Sequence, residues 1–191
     1  MEPHLRPTRP EYFMNIALAV RERADCLGQK VGAIIVLDHR IVATGYNGTP
    51  AGMRNCSEGG CVRCLNRGKR FTSGSAYDLC ICVHAEQNAI LAAARFGISI
   101  QGGTMYTTVQ PCFGCLKEML QAGIHEVFYI HSWRSSKDAD PEQQAQYDVL
   151  ASRLTGGIKQ LAVNDPRADW AKGSTPTAAK QAIDEHGMQS Q

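Results

Sequence analysis

The chain has 191 residues, 43% of them hydrophobic, which suits one compact domain with a real core plus a tail. It contains no apolar run of about 18 residues, so no membrane-spanning helix is expected. The formal net charge is +2 with no basic block, which argues against a nucleic-acid groove.

Residues 1–10 are polar and proline-rich and lack an apolar stretch, so no secretory leader is expected and the cytoplasm is the expected compartment. There the eight cysteines point to metal ligation rather than to a disulfide scaffold.

Thr8 and Glu11 have the spacing of a capping box. The helix they open carries Tyr12, Phe13, Ile16, Ala17 and Val20 at helical intervals. Residues 31–37 form an apolar, β-rich run, 38–40 turn the chain, and 41–44 return, which predicts a hairpin. Residues 45–82 are long, polar and glycine-rich with no clear period. Such a loop needs a cause for order, and its five cysteines suggest one.

A helix is predicted over 84–96, stopped by Gly97. A strand over 104–109, a helix over 112–122 and a strand over 127–130 follow. Asp140 and Pro141 read as an N-cap and first helical residue, opening a helix to 154. A last strand is predicted over 158–163. Residues 1–164 thus read as one domain and 165–191 as a polar, weakly ordered tail. Later strands alternate with helices, which implies parallel pairing. The expected fold is three-layer α/β/α: a five-stranded mixed sheet with helices on both faces.

Two stretches carry the chemistry: His84-Ala85-Glu86 and Pro111-Cys112-Phe113-Gly114-Cys115. Each opens a predicted helix, where the helix dipole favours thiolate over thiol. Cys112 and Cys115 share one helical face. One imidazole and two thiolates make three ligands for Zn²⁺, leaving the fourth position for water, as in catalytic sites. Zinc lowers the pKa of that water to about 7. Glu86, two residues from His84, is expected to shuttle protons while the hydroxide attacks C4 of a cytosine-type ring and ammonia leaves. A structural Cys₂His site would leave Glu86 without a role.

The chain resembles the cytidine/deoxycytidylate deaminase superfamily, and within it the dCMP deaminases of bacteria and phages. The resemblance runs from about residue 12 to 163. It is carried by Glu11-Tyr12-Phe13-Met14, Lys30-Val31-Gly32-Ala33, Gly45-Tyr46-Asn47-Gly48-Thr49-Pro50, His84-Ala85-Glu86-Gln87-Asn88-Ala89-Ile90 and Gln121-Ala122-Gly123-Ile124. It implies a cytidine deaminase-like fold, and hydrolysis of dCMP to dUMP and ammonia, supplying dUMP for thymidylate synthesis. Asn47 would then bind the sugar 3′-hydroxyl; read locally, Asn47-Gly48 is equally a common turn. The backbone around Ala85 would line the base pocket, and Thr49 and Pro50 the sugar side. Arg95 matches an arginine of the phage enzymes and is the first candidate for the substrate phosphate, with Lys30 and Arg134 behind it. Each of these also reads as a solvated surface charge.

The resemblance further implies a second, structural zinc at Cys26, Cys56, Cys61 and Cys80, with Cys82 or Cys64 as alternates; single buried cysteines are the plain alternative. Trp133 stands where relatives often have a tyrosine or a short polar residue near the pocket mouth; it would stack on a base, change which 5-substituent is accepted, or serve core or interface packing. Phe113 would pack against the base or beneath its helix. Family members are commonly hexamers, activated by dCTP and inhibited by dTTP, so a homo-oligomer with those effectors is implied. Two rival readings stand beside this one: a deaminase of another nucleotide, nucleoside, free base or tRNA on the same fold, and a non-catalytic zinc module.

Overall fold

The computed structural model describes residues 6–71, 76–132 and 140–172. Helix α1 spans Arg9–Arg21. It opens as its sequence dictates: the Thr8 amide donates to the Glu11 carboxylate at 2.7 Å, and the Glu11 amide donates back to the Thr8 hydroxyl. Strands β1 (Gly32–Leu37) and β2 (Arg40–Tyr46) form the predicted hairpin. Asp38 and His39 both take positive φ, as the tight two-residue turn of a hairpin requires.

The connection to the next long helix holds α2 (Val62–Leu65) and two single 3₁₀ turns. Then come α3 (Ala85–Arg95), β3 (Thr104–Val109), α4 (Phe113–Gln121), β4 (Glu126–His131), α5 (Pro141–Ala151) and β5 (Gly157–Gln160). The strands lie in the order β2-β1-β3-β4-β5. β1 is antiparallel to both β2 and β3, whereas β3, β4 and β5 run parallel. This is the mixed five-stranded sheet expected from the sequence.

β1 is apolar on both faces because both are covered. Ile34 and Val36 pack with Phe13, Met14 and Ala17 of α1. Ala33 and Ile35 face the opposite way, into a core with Ala85, Ala89 and Ala93 of α3 and Leu116 and Met119 of α4. Tyr147 of α5 closes that side. Helices therefore cover both faces. Among the described residues no helix is long and apolar enough to cross a membrane.

The chain departs from the sequence reading at its C-terminal end. β5 stops at Gln160, and residues 165–172 are built into the domain rather than trailing from it. Asp165 accepts two bonds from the Arg21 guanidinium, each 2.7 Å, and contacts His131 Nε2 at 2.7 Å. Ala171 is buried in the main core, and its carbonyl accepts from the Gln29 side chain at 2.7 Å. A short 3₁₀ turn with one aromatic has no periodicity to betray it. The weakly ordered tail expected over 165–191 is therefore not found over 165–172, and 173–191 lie outside the described residues.

Candidate active site

Two helix starts converge on one point. His84 is the N-cap of α3 and Cys112 the N-cap of α4, with Cys115 one turn into α4. His84 Nδ1 lies 3.4 Å from Cys112 Sγ and 3.3 Å from Cys115 Sγ. A tetrahedral zinc with Zn–N of about 2.0 Å and Zn–S of about 2.3 Å sets nitrogen and sulfur roughly 3.5 Å apart. The donor set and its spacing therefore fit a zinc ion.

His84 and the turn before Cys112 are each held from behind. The His84 amide donates to Gln87 Oε1 at 3.0 Å, and Gln87 reaches across to Glu118 of α4 at 2.8 Å. The hydroxyl of Tyr147 donates to the Pro111 carbonyl at 2.9 Å, anchoring the turn before Cys112. The ring of Phe113 is partly buried and lies 6.4 Å from that of Tyr147, against the main core.

Glu86 is 96% buried and points to the same place. Its Oε2 lies 3.7 Å from Cys115 Sγ and its Oε1 3.3 Å from the Thr107 hydroxyl of β3. Burial raises the Glu86 carboxyl above the usual range, with His84 opposing. Bonding from Cys115, then from His84, holds the Cys112 thiol down to about 4. The bond from Cys112 in turn pushes His84 up to about 9. Binding a metal here requires the imidazole neutral and both thiols deprotonated.

β2 passes very close to α3. A Cβ on Gly45 would lie 2.1 Å from the Ala85 carbonyl oxygen and 2.4 Å from the Ala89 nitrogen, so only glycine fits. Asn88 of α3 donates to the Tyr46 carbonyl at 2.7 Å, and Gly48 pairs with Val83 just ahead of His84. These links tie the turn that carries Asn47 to α3 and to the residue before His84. Asn47 is buried; its Oδ1 accepts from the Val31 amide and its Nδ2 donates to the Gln29 carbonyl, both at 2.8 Å. Each end of the amide retains one further bond. Thr49 is partly buried beside Gly48, and Ala85 is wholly buried.

The expected phosphate cations are not brought to this point. Arg95 is the exposed last residue of α3, about 16 Å along the axis from His84. Lys30 turns its ammonium onto the Trp170 ring, 4.3 Å from the centroid. Trp133 and Arg134 lie outside the described residues.

The cysteine reading also changes. Cys26, Cys56, Cys61 and Cys80 do not form one group of four. Cys26 and Cys56 join Cys64 and Cys82, whereas Cys61 and Cys80 join the same Cys64 and Cys82 in a second group. The supposed alternates are common to both.

Sequence reasoning missed Thr107, Gln87 and Tyr147. Thr107 reads as an ordinary strand residue, and Tyr147 as helix core. Gln87 alone had a signal, because a Gln three residues past an N-cap is half of a capping box.

A sheet of this order, with a His/Cys/Cys triad and a buried glutamate at two helix starts, is the layout of the zinc deaminase class. Residues 7–131 match the family model described as the cytidine and deoxycytidylate deaminase zinc-binding region, and the chain belongs to that family. It is 40% identical over 141 residues to a deoxycytidylate deaminase of Saccharomyces cerevisiae, covering 73% of this chain and 43% of the yeast protein. It is 41% identical over 128 residues to that of Mycobacterium phage D29, covering 65% of this chain and 95% of the phage protein. The dCMP deaminase of cyanophage S-TIM5, solved in complex with dCMP and dUMP, superposes with a TM-score of 0.60 at 31% identity, over 83% of this chain and all of that one. The chain spans less than half the length of the Saccharomyces cerevisiae and Schizosaccharomyces pombe relatives.

Proposed function

We propose that the chain hydrolyses dCMP to dUMP and ammonia. The observation that carries this reading is the meeting of His84 Nδ1, Cys112 Sγ, Cys115 Sγ and the buried Glu86 carboxylate at one point. The relatives bearing the name deoxycytidylate deaminase, and the phage enzyme holding dCMP and dUMP, favour this substrate over others on the fold.

His84, Cys112 and Cys115 would hold a zinc ion, which supplies a water of lowered pKa and Lewis acidity when bound. Glu86 takes a proton from water as water adds to C4 of the base, and passes it to the ring nitrogen. A second proton, again through Glu86, goes to the exocyclic amine as the C4–N bond breaks. Ammonia departs and a carbonyl remains. Burial raises the Glu86 carboxyl, which favours its giving a proton back as well as taking one. Thr107 fixes one carboxylate oxygen, leaving the other to work. Asn47 sits rigid at the sugar side with one N–H to offer the 3′-hydroxyl. The reading includes a homo-oligomer, activation by dCTP and inhibition by dTTP, on the strength of the family resemblance.

The test is ammonia release from dCMP, cytidine, dCTP, guanine and tRNA, each with and without dCTP as effector. Release from dCMP above all others is expected. No release from dCMP, with or without dCTP, overturns the reading.

A further inference from the structure

Six cysteines outside the His84 site converge where the long loop between β2 and α3 meets the end of α1. All are free thiols, and five of the six are buried. Their sulfurs form two groups of four: Cys26, Cys56, Cys64 and Cys82, and Cys61, Cys64, Cys80 and Cys82. Within each group every sulfur lies within 4.8 Å of the others. Cys26 and Cys64 are 3.8 Å apart, Cys61 and Cys80 3.8 Å, Cys64 and Cys80 3.7 Å, and Cys64 and Cys82 3.9 Å.

These distances match the edge of a zinc–thiolate tetrahedron. Four thiolates at about 2.3 Å from one ion stand roughly 3.8 Å from each other. Thiols are weak donors and weak acceptors, so hydrogen bonding among them gives little reason to gather six. Backbone amides already point at two of the sulfurs, Leu27 at Cys56 from 3.4 Å and Gly28 at Cys26 from 3.3 Å. That arrangement suits sulfur carrying negative charge.

The count then decides how many ions fit. Two separate four-thiolate sites need eight sulfurs, and the cluster has six. A single ion in the first group leaves the Cys61 and Cys80 thiols crowded against it. Two ions sharing the Cys64–Cys82 edge use all six. We propose that this loop holds a binuclear zinc–thiolate cluster: Cys64 and Cys82 bridge the two ions, Cys26 and Cys56 complete one tetrahedron, and Cys61 and Cys80 the other. On loading, six thiols give up six protons, so two Zn²⁺ and six thiolates carry a net charge of −2.

The cluster's place gives it a purpose. Cys82 stands two residues before His84, and Val83 between them pairs with Gly48. The ions would fix both the approach to α3 and the Asn47 turn. The cluster does not depend on which base is deaminated.

The test uses the full chain, loaded with excess zinc, desalted and weighed by native mass spectrometry. Three zinc ions per chain are expected, two in the cluster and one at His84. A plateau at two or one overturns the proposal. The variant C61S/C80S keeps the first group whole, so its count should fall from three to two; an unchanged count overturns the proposal. With cadmium-113 in place of zinc, the two cluster resonances should split each other through the bridging sulfurs. Unsplit resonances overturn it as well.

Discussion

The hydroxyl of Thr107 stands 3.3 Å from Glu86 Oε1 and 3.2 Å from the Val109 carbonyl, so a strand residue positions the carboxylate that β3 passes beneath. The bond to Glu86 also opposes the rise that burial imposes on this carboxyl. Thr107→Val keeps the volume and removes the bond. The Glu86 carboxyl should then rise further, and the acid limb of the kcat–pH profile should move to higher pH, because the ionised form is lost earlier as pH falls. Turnover should drop roughly 10-fold, the order of one lost bond to a charged group. Steady-state kinetics across pH checks this, and an unmoved acid limb would show that Thr107 only fills space.

Gly45 sets how near β2 lies to α3. In Gly45→Ala the new methyl meets the Ala85 carbonyl at 2.1 Å, with no side chain available to give way. Strain of this kind costs about 1–3 kcal/mol and occasionally more. The shift should reach His84, the next residue along. A lower thermal midpoint together with weaker zinc retention is expected, measured by calorimetry and metal analysis. Wild-type values for both would contradict the close approach.

Asn47 serves two ends at once. In Asn47→Ala the buried Val31 amide loses its acceptor, at a cost of about 1–3 kcal/mol. The urea midpoint should fall accordingly. If Asn47 also meets the sugar, KM for dCMP should rise in the fraction that stays folded. A lower midpoint with unchanged KM would leave Asn47 a purely structural role.

Arg21 and Asp165 form an ion pair whose side chains are 1% and 2% exposed. Burial alone would raise the Asp165 carboxyl, but bonds from Arg21 and His131 outweigh it and hold the group well below the usual range. A carboxyl lowered on folding contributes stability above its unfolded value of about 3.9. That contribution is lost as pH falls towards the folded value. Asp165→Ala strands the buried guanidinium and should cost about 3–5 kcal/mol near neutral pH. Denaturant unfolding followed from pH 7 down to about 3 should show the gap between variant and wild type narrowing. A constant gap would contradict the pair's role.

The metal triad was legible because its chemistry is local. His84 with Glu86, and Cys112 with Cys115, each fall within four residues, and both pairs open a helix. The hairpin was legible for the same reason, in two residues at its turn. What stayed hidden depends on distance through space. The cysteine groups draw on Cys26 at the end of α1 and on three separate places in a loop without period, so spacing could not sort six candidates. Arg95 looked suitable until the straight length of α3 carried it away from His84. Arg21 and Asp165 meet across 144 residues, and neither bears a local mark of burial. Thr107 touches Glu86 only because β3 runs under the start of α3.

The most direct test of the central claim is Glu86→Gln, with ammonia release from dCMP and zinc content measured on the same preparation. The account predicts wild-type folding and zinc with turnover reduced by at least ~10²–10⁴-fold, the share general acid–base catalysis supplies. Near wild-type turnover in that variant, with its zinc intact, would contradict it.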